Sequence, residues 1–233
     1  MLEHRPFATL GRFKNDWLDA NYHFSFANYF DPKRTQWGAL RVWNDDAIKA
    51  GTGFSPHSHA DMEIITYVRT GAITHQDSLG NTGRTEAGDV QVMSAGTGIT
   101  HAELNRETDD TTLFQIWILP KARGAKPNWG AAKFPKGERA GNLVTLASGF
   151  EADLANGALP IRQDARLLAA TLRPGETVEH ALTGPRRAYA VLARGTAEVN
   201  GITLAGRDGL AIADVDTLRA TASADSELLI VEA

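Results

Sequence analysis

The sequence predicts an all-β protein built from two antiparallel barrels in tandem with a few short helices, and three observations carry that prediction. Short apolar runs recur at close intervals between turn residues, the rhythm of barrels and sandwiches. A breaker-rich, polar stretch from Pro120 through Pro135 divides these runs into two sets. Glycines also repeat across the divide: the offset that carries Gly51 to Gly175 carries Gly71 to Gly195, and each pair brackets an apolar strand. The expected domains are therefore 1–135 and 136–233.

Taken in order, Asn15 to Asn21 fits a short helical turn. His23-Phe-Ser-Phe-Ala-Asn-Tyr-Phe30 alternates aromatics like a half-buried strand, with His23 as a packed core histidine. Asp31-Pro32-Lys33-Arg34 is a turn, and Leu40-Arg-Val-Trp43 begins a strand that Asn44-Asp-Asp46 is expected to break. A strand ending at Val68 leads to Gly71, and Ala72 to His75 runs into the turn Ser78-Leu-Gly80-Asn81. Gly88-Asp-Val-Gln-Val-Met93 alternates, and Leu113 to Leu119 is a long apolar strand. In the second set, Leu143 to Ala147, Leu167 to Leu172 and Tyr189 to Leu192 are apolar strands, and Val199-Asn200-Gly201-Ile202 is a two-residue hairpin turn.

Composition narrows the function. The chain has 233 residues, is 42% hydrophobic and carries a net charge of −4, with no cysteine. That length supports a full core. The acidic balance and the lack of any long basic run disfavour direct nucleic-acid binding. Without cysteine, any metal must use nitrogen and oxygen ligands. No apolar run reaches the ~18 residues of a membrane span, and the first residues lack a signal-peptide pattern, so a cytoplasmic location is expected.

The chemistry concentrates in Gly51-Thr-Gly-Phe-Ser-Pro-His57-Ser-His59-Ala-Asp-Met-Glu63. His57 and His59 are two apart on a strand and share a face. Neutral imidazoles suit a metal ion. His101 and Glu103 repeat that spacing after the turn Ser94-Ala-Gly96-Thr-Gly98-Ile-Thr100. Two such strands side by side can offer three imidazoles and a carboxylate to one point. Glu63 is also formally on the histidine face, so spacing leaves two carboxylates open. At the repeat offset, His57 falls on Ala181, His59 on Thr183 and Glu63 on Arg187, and His180 is one residue out of register, so the second half is expected to lack a metal. Gly96-Thr-Gly98 is no phosphate loop, because no strand-to-helix pattern follows. Ser55 and Ser94 lack the partners of a hydrolytic triad. His75 with Asp77 reads first as a structural pair, and Tyr67, Met93 and Phe114 read as core.

Gly51, His57, His59, Glu63 and Gly71 resemble the first motif of the cupins, and Gly88, His101 and Asn105 resemble the second more loosely. More closely, the chain resembles the pirin family of two-domain cupins nearly end to end. The carrying residues are His23-Phe-Ser-Phe-Ala-Asn-Tyr, Pro56-His-Ser-His-Ala-Asp-Met-Glu-Ile, His75-Gln-Asp-Ser and Val92-Met-Ser-Ala-Gly-Thr-Gly-Ile-Thr-His-Ala-Glu. The bacterial branch that cleaves quercetin is the nearest likeness. The resemblance implies a bicupin and nominates Glu103, not Glu63, as the carboxylate ligand beside His57, His59 and His101. It implies one divalent transition metal, Fe(II) in the cell, with Mn, Ni, Co, Cu or Zn as substitutes. It also implies a small flavonol-like substrate, opened by O₂ after Glu103 accepts its hydroxyl proton. The rival implication is an iron-dependent redox-sensing regulator that binds a protein partner. A monomer is expected, with neither nucleic acid nor membrane as partner.

Overall fold

The computed structural model describes residues 1–134, 137, 140–182 and 185–233. The chain is organised in two compact units, one of residues 11–134 with 159–163, the other of 1–10, 135–158 and 164–233. Each is built almost wholly of antiparallel strands; among the described residues the helices are a 3₁₀ turn at Phe7–Thr9 and one α-turn at Glu151–Leu154.

The first unit pairs a large sheet with a small one. Its seven-stranded sheet runs Asn128–Ala132, Val90–Ser94, Glu63–Thr70, Thr111–Ile118, Leu40–Ile48, Leu18–Tyr22 and Gly11–Lys14. The four-stranded sheet runs Gly53–His59, Ile99–Leu104, Ala72–Asp77 and Thr82–Glu86. Ile65, Val68, Val90, Leu113 and Ile116 are fully buried in the larger sheet, where residues that suit a pleated surface can pack on both sides.

The second unit repeats the plan. Its large sheet contains, in order, Leu2–Arg5, Gly209–Ile212, Ala188–Arg194, Ser226–Glu232, Arg166–Leu172 and Val144–Ser148. Its small sheet runs Thr177–Ala181, Thr217–Ala222, Thr196–Val199 and Ile202–Ala205. Leu2–Arg5 takes the edge place that Asn128–Ala132 takes in the first unit, so the start of the chain belongs to the second unit. The repeat glycines do equivalent work: Gly71 and Gly195 have φ of 74° and 89°, a left-handed conformation that favours glycine. Asn200 and Gly201 both have positive φ, 48° and 83°, and close a hairpin in which Val199 pairs with Ile202, as the Asn-Gly dipeptide predicts.

Three local expectations are corrected. Residues Asn15 to Asn21 form no helical turn; Asn15 Oδ1 accepts the N–H groups of Trp17 and Leu18, and Leu18–Tyr22 is a strand whose Leu18, Ala20 and Tyr22 point inward. The aromatic run His23 to Phe30 is a loop closed by a Phe26–Tyr29 bridge, with Ala27 at φ 49°, although His23 is fully buried as expected. Asn44-Asp-Asp46 does not end its strand. Leu40–Ile48 runs straight through it, because both neighbours, Leu18–Tyr22 and Thr111–Ile118, supply ladder partners along that stretch. Thr183 lies outside the described residues.

Candidate metal centre

In the small sheet of the first unit, His57 on Gly53–His59 lies directly opposite His101 on Ile99–Leu104. Two residues on, the register slips, and Glu103 faces Phe54. The extra residue is on the Gly53–His59 side, at Ser55-Pro56, where proline has no N–H to give the ladder. Gly53 makes the pairing possible: a Cβ there would sit 2.3 Å from the Glu103 carbonyl oxygen.

The result is a triangle of imidazoles. Ring centroids are 4.8 Å apart for His57 and His59, 4.5 Å for His57 and His101, and 5.1 Å for His59 and His101. One nitrogen from each of the three lies within 4.8 Å of the others, the single such grouping of three or more metal-ligating side chains among the described residues. Hydrogen bonds orient the rings. His57 Nδ1 lies 2.7 Å from the Ser55 carbonyl oxygen, so it carries the proton and Nε2 keeps a lone pair. His101 Nδ1 lies 3.4 Å from His75 Nδ1, while His75 Nε2 lies 2.9 Å from Asp77 Oδ2. With Asp77 accepting from His75 Nε2–H, His75 Nδ1 is the acceptor and His101 Nδ1 the donor. His101 Nε2 is left bare, buried and without a partner. His75 is fully buried and stacks on Trp129 at 4.7 Å and 8° between planes, so the pair with Asp77 both holds structure and backs His101.

Electrostatics favour neutral rings. Burial and the neighbouring His57 push His59 down to about 4. Burial, then His57, His59 and His75, push His101 down to about 3. Both are unprotonated at neutral pH and present lone pairs, so these residues fit a divalent ion of the borderline type.

Glu103 is not part of the triangle. It shares the cavity with the three histidines but is 3% exposed and held by three strands: Oε1 accepts from Thr66 Oγ1 at 2.9 Å and Gln91 Nε2 at 2.7 Å, and Oε2 accepts from Gln115 Nε2. Burial raises its pKa against those hydrogen bonds. Glu63 is turned away from the cavity, accepting from Ser94 Oγ at 2.6 Å and the Arg162 N–H at 3.1 Å. Tyr67, Met93 and Phe114 are core, 0%, 2% and 0% exposed, and none lines the cavity. In the second unit, His180 bonds Glu232 at 2.8 Å; its register predicts the other strand face, but it lies opposite Leu218 on the inward face with Val178.

A cavity of about 190 Å³ opens beside the imidazoles. Its walls are aromatic and aliphatic, chiefly Leu18, Tyr22, Phe26, Phe54, Ile64 and Trp117, with Trp117 edge-on to His59 at 4.9 Å. Asn44 and Asp46 also line it, and sequence reading missed both. The available signal was parity: Val42, Asn44, Asp46 and Ile48 alternate on one strand face, but the polar trio reads locally as a turn.

A pirin family model matches residues 4–118, and one described as a quercetinase C-terminal cupin domain matches residues 146–233. A pirin-like protein of Caulobacter vibrioides is 59% identical over 233 residues, covering 100% of both chains. The chain belongs to the pirin family. A quercetin 2,3-dioxygenase of Escherichia coli is 40% identical over 95% of this chain and 94% of its own. The crystal structure of the bacterial pirin YhhW from Escherichia coli in complex with nickel(II) superposes with a TM-score of 0.93 at 39% identity, covering 100% of this chain and 98% of that one. The bicupin fold and a histidine cluster able to hold a metal thus stand together in this pirin.

Proposed function

We propose that this pirin is a flavonol 2,3-dioxygenase, opening the heterocycle of a quercetin-like substrate with O₂ and releasing carbon monoxide with a ring-opened depside. The observation that carries this reading is the triangle of imidazoles beside a cavity walled by aromatic side chains. The proposed ligands are His57, His59, His101 and Glu103, and the proposed ion is Fe(II), for which other borderline divalent metals can substitute. When bound, such an ion would supply Lewis acidity and a redox-active centre to the reaction.

The protein's own contributions follow from its residues. Phe54, Phe26 and Trp117 offer faces and edges to a flat ring system and keep water from it. Glu103 is a buried carboxylate whose pKa is raised, suited to accepting the proton of the substrate's hydroxyl. Thr66, Gln91 and Gln115 hold that carboxylate in place while leaving lone pairs on both oxygens. His75 and Asp77 fix the tautomer that aims His101 Nε2 at the shared point.

The likeness to an Escherichia coli quercetin 2,3-dioxygenase supports the substrate class. An apolar cavity favours a substrate over the regulator reading, which calls for a closed site beside a charged patch. The experiment is O₂ uptake on adding quercetin to the iron-loaded protein, with carbon monoxide and depside measured as products. Failure of the iron, manganese, nickel, cobalt and copper forms to exceed the free-metal background, with quercetin and related flavonols, would remove the enzyme reading.

A further inference from the structure

The strand Leu40–Ile48 buries three polar residues in its middle, Asn44, Asp45 and Asp46, at 4%, 0% and 2% exposure. Asp45 is matched by Arg69. Asn44 and Asp46, two apart, share the opposite face, which looks into the cavity. There Asn44 Oδ1 and Asp46 Oδ1 are both buried with no hydrogen-bond partner. Buried polar oxygens are nearly always bonded, and leaving two unpartnered in an aromatic-walled cavity costs stability. Gln115, the amide nearest in role, is committed to Glu103. Neither Asn44 nor Asp46 belongs to the histidine cluster. Two residues with unpartnered oxygens on the wall of a space lined by Tyr22 and Phe26 match a flat ring that carries a hydroxyl. A hydroxyl donates and accepts, so it suits both the Asn44 amide oxygen and a carboxyl at Asp46 whose pKa burial and Asp45 push up.

We propose that Asn44 and Asp46 are the specificity-determining pair of this cavity, receiving a hydroxyl of a hydroxylated aromatic ligand. The pair selects by rejection. A bare ring leaves both oxygens desolvated and unpaired, whereas a hydroxylated ring satisfies them. The inference rests on the preceding reading only in taking this cavity as the place where ligand binds.

The test is binding of 2-naphthol and naphthalene, one ring system with and without a hydroxyl, to the purified protein. Tryptophan fluorescence is the readout, since Trp117 lines the cavity. In the wild type 2-naphthol should bind about tenfold tighter or more, despite being the less hydrophobic molecule. Asp46→Leu should bring the ratio to about one by strengthening naphthalene and weakening 2-naphthol, and Asp46→Asn, which keeps an acceptor, should restore the preference. Asn44→Leu should lower the ratio by itself, which keeps the test open if Asp46→Leu folds poorly. A wild-type ratio near one, no binding of 2-naphthol, or a preference that survives both leucine variants would overturn the proposal. Quercetin turnover, followed separately as O₂ uptake, keeps the two readings apart. Turnover without a hydroxyl preference would sink only this inference, and a preference without turnover only the flavonol reading.

Discussion

In the first unit, Ile99–Leu104 turns His101 and Glu103 toward a cavity. In the second, the strand in the same place of the same sheet order, Thr217–Ala222, turns in Leu218, Ala220 and Ala222, all within a wholly apolar cluster that also holds Leu168, Leu192 and Ile230. The neighbouring strand differs in the same way: Gly53–His59 carries two imidazoles, and Thr177–Ala181 buries only Val178. Turn glycines, hairpins and ladders are alike on both sides, so the backbone plan does not decide which unit has a site. Side-chain volume and polarity at a handful of inward positions do. Leucines pack to the density of an interior, whereas imidazoles, amides and carboxyls facing one another need a partner that packing alone does not supply.

The largest effect that could break this contrast is loss of metal. Replacing His57 and His101 together by alanine should take metal content from one ion per chain to none by elemental analysis, while circular dichroism still reports a β-protein. Retention of one ion per chain would move the site elsewhere. Next, Glu103→Gln keeps the shape of the group but removes its basicity, so turnover of quercetin should fall by about 10²–10⁴-fold while much of the metal stays. Equal turnover would remove Glu103 as the proton acceptor.

The second unit should respond in stability alone. Although burial works against it, Glu232 is held down to about 2 by His180, Arg186 and Arg166. Its carboxyl is 1% exposed, so Glu232→Gln should cost about 3 kcal/mol at neutral pH with no change in metal content. Because the folded pKa is depressed, that stability is present above the unfolded value of 4.5 and is lost as pH falls through about 2. Denaturant melts of wild type and variant should therefore converge in acid. A gap that stays constant with pH would contradict the ion-pair account. The smallest expected effect returns to the first unit: His75→Phe keeps the stack on Trp129 but removes the acceptor for His101 Nδ1, and metal affinity should drop about 10–100-fold by competition with a chelator. Unchanged affinity would reduce His75 to a packing residue.

The sequence by itself determined the fold class, the duplication and the residue types of the candidate site. Those signals are local or strictly periodic: glycines that need positive φ, an Asn-Gly turn, strands spaced by turns, and two pairs of ligand-type residues at the spacing that shares a face. It could not place His180: the glycine offset sends it to another face, whereas it sits opposite Leu218 on the inward face with Val178, as His57 sits opposite His101. What only the tertiary structure decided depends on partners far along the chain. Asn44-Asp-Asp46 is a turn by composition and a strand by its neighbours, since Leu18–Tyr22 and Thr111–Ile118 supply its ladder bonds on both sides. Leu2–Arg5 joins the second unit because its pairing partner, Gly209–Ile212, lies at the other end of the chain. The slip at Ser55-Pro56 sets Glu103 opposite Phe54, and it is held by Thr66, Gln91 and Gln115, each from a different strand. Spacing along one strand fixes which side chains share a face, but where that face points, and what meets it there, is settled only when distant strands pair.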